Sequence, residues 1–105
     1  MYPKYIIVTN PGEYNGFLRM GYAWNHRDLI IGYEKVHGGG WYDRDDNARK
    51  IVLYGFSVDY GDPDFNFLDR IPKEFQDYKF YRCNDIYYQK GDYAEEIDLS
   101  NIEWV

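Results

Sequence analysis

The stretch "KIVLYGFSVDY", residues 50–60, decides the fold that the sequence predicts. Apolar or aromatic side chains occupy every even position from 52 to 60, and a period of two is typical of a β-strand. Ile51 and Leu53 make the first half of the stretch apolar at odd positions as well. A strand that is apolar on both faces fits the middle of a sheet, where both faces are covered. The even positions are Val52, Tyr54, Phe56, Val58 and Tyr60.

Further strand patterns lie on both sides of this stretch. "KYIIVT" (4–9) predicts a first strand, which the turn-forming segment "NPGEYNG" ends. "FLRMGYAW" (17–24) alternates, which predicts a strand with its even positions inward. "KFYRCNDIYYQ" (79–89) predicts a strand or a hairpin turning at Asn84-Asp85, and "SNIEWV" (100–105) a closing edge strand. The even positions of the second segment are Leu18, Met20, Tyr22 and Trp24.

Two segments predict short helices between the strands. In "NHRDLIIG", Asn25 is a good N-cap and Gly32 a good residue after the last turn. In "IPKEFQDY", Pro72 suits the first helical position, where its missing N–H costs nothing. We therefore expect a mainly β protein at the border of the α+β class. Its predicted architecture is a curved antiparallel sheet or partly closed barrel of five or six strands with one or two short helices. At 105 residues, the chain is expected to form a single domain over residues 1–105.

Composition and charge narrow the classes of partner. Aromatic residues make up 21% of the chain and include 13 Tyr, a residue that is frequent at interfaces. Residues 1–52 carry seven basic and six acidic side chains, whereas residues 53–105 carry five and twelve. Direct nucleic-acid binding is disfavoured, because it depends on Lys and Arg neutralising phosphates. A basic protein partner is favoured, although an acidic face that only improves solubility explains the same charge.

The expected location is the cytoplasm. The single cysteine, Cys83, cannot form an internal disulfide, and this favours a reducing compartment. The N-terminal apolar run is far too short for a signal peptide or a membrane span, so no membrane association is expected. The edge strand predicted in "SNIEWV" leaves a homo-oligomer open.

Two apparent enzyme motifs are incomplete. "HGGGW" (37–41) matches the oxyanion-hole segment of one esterase group, but Ser57 lacks the second glycine of a nucleophile elbow and no histidine follows residue 37. The three glycines Gly38–Gly40 are better interpreted as a backbone device, giving a positive-φ kink or close strand packing. "HRDL" (26–29) matches the kinase catalytic loop without its metal-binding asparagine. No catalytic constellation is complete, so an enzyme is disfavoured.

Metal and cofactor sites are not predicted. Two acidic clusters, at residues 43–47 and 59–64, lack the spacing of a calcium loop. His26, His37 and Cys83 contain no close pair with zinc-ligand spacing. We expect no metal and no cofactor. The second acidic cluster follows the strongest strand, where binding loops often lie.

Two binding hypotheses from different classes remain. The first is a protein–protein module of the inhibitor, antidote or phage anti-defence class, which docks a basic partner through exposed tyrosines ringed by acids. The second is a small-molecule binder with an aromatic-lined pocket for a nucleotide or sugar. An enzyme using His37 and the 59–64 cluster ranks third. The partner-binding candidates are Tyr87, Tyr88, Asp92, Tyr93, Glu95 and Glu96. The ligand-binding candidates are Trp24, His37, Trp41, Tyr54, Asp59, Tyr60, Asp62 and Asp64.

Overall fold

The computed structural model describes residues 1–105, and the chain folds as one curled, half-barrel sheet of eight strands. The spatial order of the strands is β7-β6-β4-β3-β1-β2-β5-β8. This confirms the prediction of a mainly β protein with a curved sheet. The strands are β1 (Tyr2–Thr9), β2 (Phe17–Ala23), β3 (Lys35–Asp45), β4 (Lys50–Tyr54), β5 (Arg70–Ile71), β6 (Lys79–Cys83), β7 (Glu95–Glu96) and β8 (Glu103–Trp104).

The strand count and pairing differ in part from the expectation. Eight strands are present instead of five or six, because β5 and β7, which were not predicted, have two residues each, too few to produce an alternating pattern. The pairs β1–β2, β1–β3, β3–β4 and β6–β7 are antiparallel, and the pairs β2–β5, β4–β6 and β5–β8 are parallel. The sheet is therefore mixed, with β8 at one edge, as the sequence predicted for "SNIEWV".

The predicted short helices are single 3₁₀ turns. His26–Leu29 follows Asn25, whose backbone N–H donates to the Asp28 carboxylate at 3.1 Å. This turn ends at Leu29, three residues before the predicted Gly32. Lys73–Phe75 follows Pro72, and a third turn, Phe65–Phe67, was not predicted. Each turn has four residues or fewer, so the strands and loops carry the packing.

The prediction of a central strand over residues 50–60 is correct in its first half and wrong in its second. β4 lies between β3 and β6, and its residues 51–53 are buried, as the two-sided apolar pattern predicted. It ends at Tyr54, and the next residue, Gly55, has φ +70° and donates its N–H to the carbonyl of Cys83. A left-handed residue turns the chain out of the strand. Residues 56–61 then form a tight turn, so Phe56 and Val58 are exposed.

The hairpin predicted at Asn84-Asp85 is also wrong. β6 ends at Cys83, and the N–H groups of Tyr87 and Tyr88 donate to the side chain and the carbonyl of Asp85. These bonds make a local turn, and the chain returns only as β7 to pair with β6. The connection between the two strands is therefore an eleven-residue loop, 84–94.

The two faces of the sheet carry different sets of side chains. Strand pairs such as Tyr42↔Leu53 and Ile51↔Phe80 point to one side, which we call the core face. The opposite side, the cleft face, carries the residues of the other parity, including Lys4, Trp41 and Tyr54. The buried core comprises Tyr5, Ile7, Leu18, Tyr42, Ile51, Leu53, Leu68, Ile71, Phe75, Tyr78 and Phe80.

The even positions of β2 point inward only over its first half. Leu18 is fully buried and Met20 packs against the core, as predicted. Tyr22 is 67% exposed and Trp24 is 65% exposed, so the inward prediction is wrong for these two. The reason is their place in the sheet: Tyr22 lies near the end of the strand, and Trp24 lies beyond it.

The glycine run serves the backbone, as the sequence analysis proposed. Gly38–Gly40 lies buried inside β3, and Gly38 has φ +89°. The register with β1 passes from Ile6↔Gly39 to Val8↔Val36, so β3 carries one extra residue, a β-bulge. A Cβ at Gly38, Gly39 or Gly40 would collide with the carbonyl oxygens of Asp62, Tyr5 and Tyr54, respectively. Close backbone packing therefore explains the three glycines.

Candidate functional site

The floor of the first candidate site is a row of three side chains across three strands. Lys4 on β1 pairs with Trp41 on β3, and Trp41 pairs with Tyr54 on β4. Directly paired residues point to the same face of a sheet, so all three lie on the cleft face. The rings of Trp41 and Tyr54 are 6.0 Å apart and inclined by 58°. The alternation of β1, β3 and β4 thus produces an aromatic surface with one ammonium group at its edge.

Two exposed rings form a wall beside this floor. Tyr2 has the same parity as Lys4, and its ring meets that of Trp24 edge to face at 6.3 Å and 82°. The Lys4 Nζ donates a hydrogen bond to the Trp24 carbonyl at 2.7 Å, which fixes the chain just after β2. Tyr2 is 60% exposed and Trp24 is 65% exposed. Both rings are therefore positioned by neighbours while remaining open to solvent.

Floor and wall enclose an open cavity, the aromatic cleft. Its volume is about 450 Å³, within the range of small-molecule sites. Behind the floor, Tyr88 is buried and its ring lies 5.2 Å from that of Tyr54, which supports the position of the tyrosine. The lining residues are Tyr2, Pro3, Lys4, Trp24, Trp41, Tyr54 and Ile86.

A smaller polar pocket, the polar annex, adjoins the aromatic cleft and shares Lys4 and Trp41 with it. It has a volume of about 250 Å³ and is also lined by Asn25, His26, Phe56, Val58 and Asp59. His26 is buried over Gly39, and its Nε2 lies 2.8 Å from the carbonyl oxygen of Gly40. A carbonyl only accepts, so Nε2 carries the hydrogen. Burial lowers the pKa of His26, which favours the neutral ring.

A third cavity, the acidic groove, has a volume of about 540 Å³ and lies between the loop after β4 and strands β6 and β7. Its charged residues are Asp62, Asp64, Glu95 and Arg82. The Arg82 guanidinium lies 3.5 Å from the Glu95 carboxylate and 5.3 Å from the ring centroid of Phe65. The Asp64 side chain accepts from the N–H of Asn66. The groove therefore has a surplus of negative charge beside the exposed ring of Tyr93. The remaining lining residues are Pro63, Asn66, Cys83, Asn84 and Ala94.

The structure divides the predicted partner-binding residues. Tyr93 and Glu95 line the acidic groove. Tyr87 is exposed outside it, as is Asp92, whose carboxylate accepts from the N–H of Gln89. Tyr88 is only 8% exposed, and it is therefore unsuited to the role of an exposed anchor that the sequence assigned to it. Glu96 lies beside Glu95 on β7, the edge strand.

The predicted ligand-binding residues are divided among the three cavities, and two of them lie outside all three. Trp24, Trp41 and Tyr54 meet in the aromatic cleft, and Asp59 lies in the adjoining polar annex. Asp62 and Asp64 line the acidic groove instead. The two remaining residues, His37 and Tyr60, line none of these cavities.

His37 and Tyr60 have local partners. The His37 ring stacks on Phe67 at 3.8 Å, and its Nε2 lies 2.8 Å from the Thr9 hydroxyl oxygen. The N–H of Tyr60 donates to the Ser57 hydroxyl oxygen within the turn after β4. His37 therefore does not face the rings with which the sequence analysis grouped it, and its distinct partners also separate it from His26.

Sequence reasoning missed part of the lining of the aromatic cleft. Tyr2, Pro3, Lys4 and Ile86 were not among the candidates, although they complete its floor and wall. A usable signal was present for two of them: Tyr2 and Lys4 share the parity of Ile6 within the first strand, so they had to lie on one face. The contact between that face and Trp41 depends on strand pairing, which the sequence does not display.

No group of three or more His, Cys, Asp or Glu side chains is arranged to hold a metal ion. No helix is long and apolar enough to cross a membrane. No protein-family model matches the chain, and no curated protein matches it significantly. The geometry of the cleft, its annex and the groove therefore provides the basis for a functional proposal.

Proposed function

We propose that the protein is a binding protein whose aromatic cleft holds a small ligand. The observation that carries this proposal is the convergence of four aromatic rings from separate parts of the chain around an open cavity of about 450 Å³. The same rings could have packed against one another as a closed core, which would have argued against a ligand site. The four rings are those of Tyr2, Trp24, Trp41 and Tyr54.

The preorganisation of the rings that line the cleft supports the proposal. The edge-to-face contact of Tyr2 with Trp24 and the hydrogen bond from Lys4 hold the wall in place before any ligand arrives. Preorganised groups lose less conformational entropy on binding. Each ring that a ligand stacks upon is worth about 0.5–1.5 kcal/mol beyond the area it buries. Such contacts add to the free energy that the ligand gains by burying apolar surface in the cleft.

Ligand-detected NMR tests this proposal directly. A panel of neutral sugars, nucleosides and aromatic metabolites is mixed with the protein, and saturation transfer identifies any bound compound. We expect at least one compound to bind the wild type and to give no signal with Trp24→Ala. Because the Trp24 side chain is exposed, this substitution should leave the fold intact. Tyr33→Ala is the control, because Tyr33 is an exposed ring that lines none of the described cavities. Binding by no compound, or equal binding by Trp24→Ala, contradicts the proposal.

A second candidate function is the docking of a basic protein at the acidic groove. The supporting observation is the surplus of negative charge there: Asp62, Asp64 and Glu95 line the cavity, and Arg82 is the only basic residue that lines it. Complementary charge increases the rate of association and selects the partner. Under this proposal, a Lys or Arg side chain of the partner enters the groove and the exposed Tyr93 packs beside it.

A defined probe tests the second candidate. A hexalysine peptide is titrated into labelled protein at low and at moderate salt, and the shifted amides are mapped. We expect shifts around the groove that weaken as salt rises, because exposed charges are screened over about 8–10 Å near physiological salt. The double variant Asp62→Asn/Asp64→Asn should abolish them. The control variant Glu74→Gln/Asp77→Asn removes the same amount of charge elsewhere and should keep these shifts. If both double variants lose the shifts equally, the peptide responds only to the net charge of the protein.

A further inference from the structure

We infer that the ligand of the aromatic cleft is a neutral carbohydrate, with one sugar ring stacked in the cleft and its hydroxyl groups reaching the polar annex. This inference rests on the proposed function of the cleft as a small-molecule site. It narrows the ligand from small molecules in general to one chemical class. Three features support it: the charge balance, the hydrogen-bonding groups, and the two lining residues, Lys4 and Trp41, that the cavities share.

Charge balance disfavours a phosphorylated ligand. The aromatic cleft and polar annex together contain one cationic side chain, Lys4, and one carboxylate, that of Asp59. The Lys4 ammonium already donates to the Trp24 carbonyl. His26 is buried, with its Nε2–H directed to the carbonyl of Gly40, and so adds no free cation. Phosphate recognition relies on Arg or Lys groups or on clustered N–H donors, and the chain has a net charge of −6.

The polar groups of the annex match hydroxyl groups. A hydroxyl both donates and accepts, so it can pair with a carboxylate, an amide or an ammonium group. The annex offers all three, in Asp59, Asn25 and Lys4. An apolar ligand would cover these groups without replacing their water, which costs free energy. A ligand with several hydroxyls around its rim gives each of them a partner.

The aromatic side of the cavity matches the faces of a sugar ring. The face of an aromatic ring is electronegative and its edge is electropositive. The C–H groups on one face of a pyranose carry the opposite partial charge, so that face stacks on Trp or Tyr while the hydroxyls point sideways. Because Trp41 lines both the cleft and the annex, a ring that stacks on Trp41 can extend its rim toward the polar pocket. A nucleoside also stacks, but its base presents fixed donors and acceptors rather than a rim of hydroxyls.

The test compares sugars with other stacking ligands on the same protein. The probes are an array of neutral glycans and, separately, adenosine and AMP, with affinities from titration calorimetry. We expect at least one neutral glycan to bind and neither adenosine nor AMP to compete. Trp24→Ala should weaken that glycan about tenfold or more, since one stacked ring is worth about 1.4 kcal/mol at that factor. Asp59→Asn, which keeps the shape, should weaken it about tenfold by removing charged hydrogen-bond acceptors.

Controls and outcomes separate this inference from the function on which it rests. Tyr33→Ala and Asp77→Asn change an exposed ring and an exposed carboxylate away from the cleft, and both should bind as the wild type does. If adenosine or another non-sugar ligand binds through Trp24 while every glycan fails, the inference is overturned and the small-molecule function stands. If a glycan binds but Asp59→Asn has no effect, the placement of its hydroxyls in the annex is overturned. If nothing binds, both proposals fail.

Discussion

The two faces of the sheet use aromatic rings in the same geometry but with opposite exposure. On the core face, Phe75 meets Tyr78 and Phe80 edge to face at 5.6 Å and 6.3 Å, and all three rings are buried. On the cleft face, Tyr2 and Trp24 meet in the same way at 6.3 Å, yet more than half of each side chain is exposed. The difference indicates that the core rings stabilise the fold, whereas the cleft rings remain available for contact with another molecule.

Neighbouring residues on the same strand supply these two faces. Leu53 belongs to the core and Tyr54 to the cleft floor; Tyr5 and Lys4 are divided in the same way. Because side chains alternate along a strand, a slip of one residue would exchange the faces. The bulge at Gly38 and the close contact of Gly39 and Gly40 with neighbouring carbonyls hold the register of β3. The cleft therefore depends on the same backbone packing that organises the core.

The largest expected effect separates the faces by stability. Phe80→Ala removes a fully buried ring from the core and should lower the free energy of unfolding by about 3–5 kcal/mol. Trp24→Ala removes an exposed ring and should lower it by less than about 1 kcal/mol. Urea denaturation followed by circular dichroism measures both. If the Trp24 variant is as unstable as the Phe80 variant, the cleft rings stabilise the fold, and the proposed difference between the two faces is wrong.

The second effect concerns the bulge. Gly38 has φ +89°, and an added Cβ would meet the carbonyl of Asp62 and lie 2.7 Å from the Cα of Pro63. Gly38→Ala should therefore cost about 3 kcal/mol, the sum of a strained backbone and an overpacked contact. Gly12 has φ +80° with nothing within 4 Å, so Gly12→Ala should show only the backbone part, about 1 kcal/mol. Equal losses in urea denaturation would show that the packing around Gly38 is loose.

The third effect is a pH dependence on the cleft face of β2. Glu34 forms a two-pronged ion pair with Arg19, and both side chains are largely buried. Burial would raise the pKa of Glu34, but hydrogen bonds from Arg19 and the Ile31 N–H outweigh it, and the net pKa is lowered. A carboxyl whose pKa is lowered in the folded state stabilises the protein at pH values above its ordinary pKa of 4.5. This stabilisation is lost as the pH falls.

Glu34→Gln isolates that contribution. Urea denaturation is repeated from about pH 6 down to about pH 3. Over this range the free energy of unfolding of the wild type should fall by roughly 1–2 kcal/mol more than that of the variant. This magnitude is typical of hydrogen bonds to a charged group. Glu74→Gln changes an exposed carboxyl and should follow the wild type. If Glu34→Gln keeps the full acid dependence of the wild type, the ion pair contributes nothing to stability.

The core face was more predictable from sequence than the cleft face, and the reasons are physical. The buried residues of β1 and β4 lie in continuous apolar runs, "YIIV" (5–8) and "IVL" (51–53), which the sequence displays directly. The two-residue strands β5 and β7, which the sequence did not predict, have no period, so pairing with their neighbours defines them. The end of β4 depends on a left-handed φ at Gly55, and a glycine in the sequence permits that angle without requiring it.

The candidate site shows the same limit. Trp24, Trp41 and Tyr54 were expected together and meet in the aromatic cleft. His37 has the parity of Trp41 and was grouped with it, but the extra residue at the bulge shifts that parity, because Val36 and Gly39 both pair with residues on one face of β1. His37 therefore turns toward Thr9 and Phe67. A single inserted residue thus removed one candidate from the site, and no periodic pattern could have revealed it.

The smallest expected effect sharpens the comparison without any ligand. The chain has three tryptophans: Trp24 in the wall of the cleft, Trp41 in its floor and Trp104 on β8 against the core. Trp24 is the one exposed to solvent, so acrylamide should quench it most. Trp24→Phe should lower the overall quenching constant, whereas Trp41→Phe and Trp104→Phe should raise it by removing shielded emitters. If the three substitutions change quenching alike, the cleft is closed in solution, and its rings belong with those of the core.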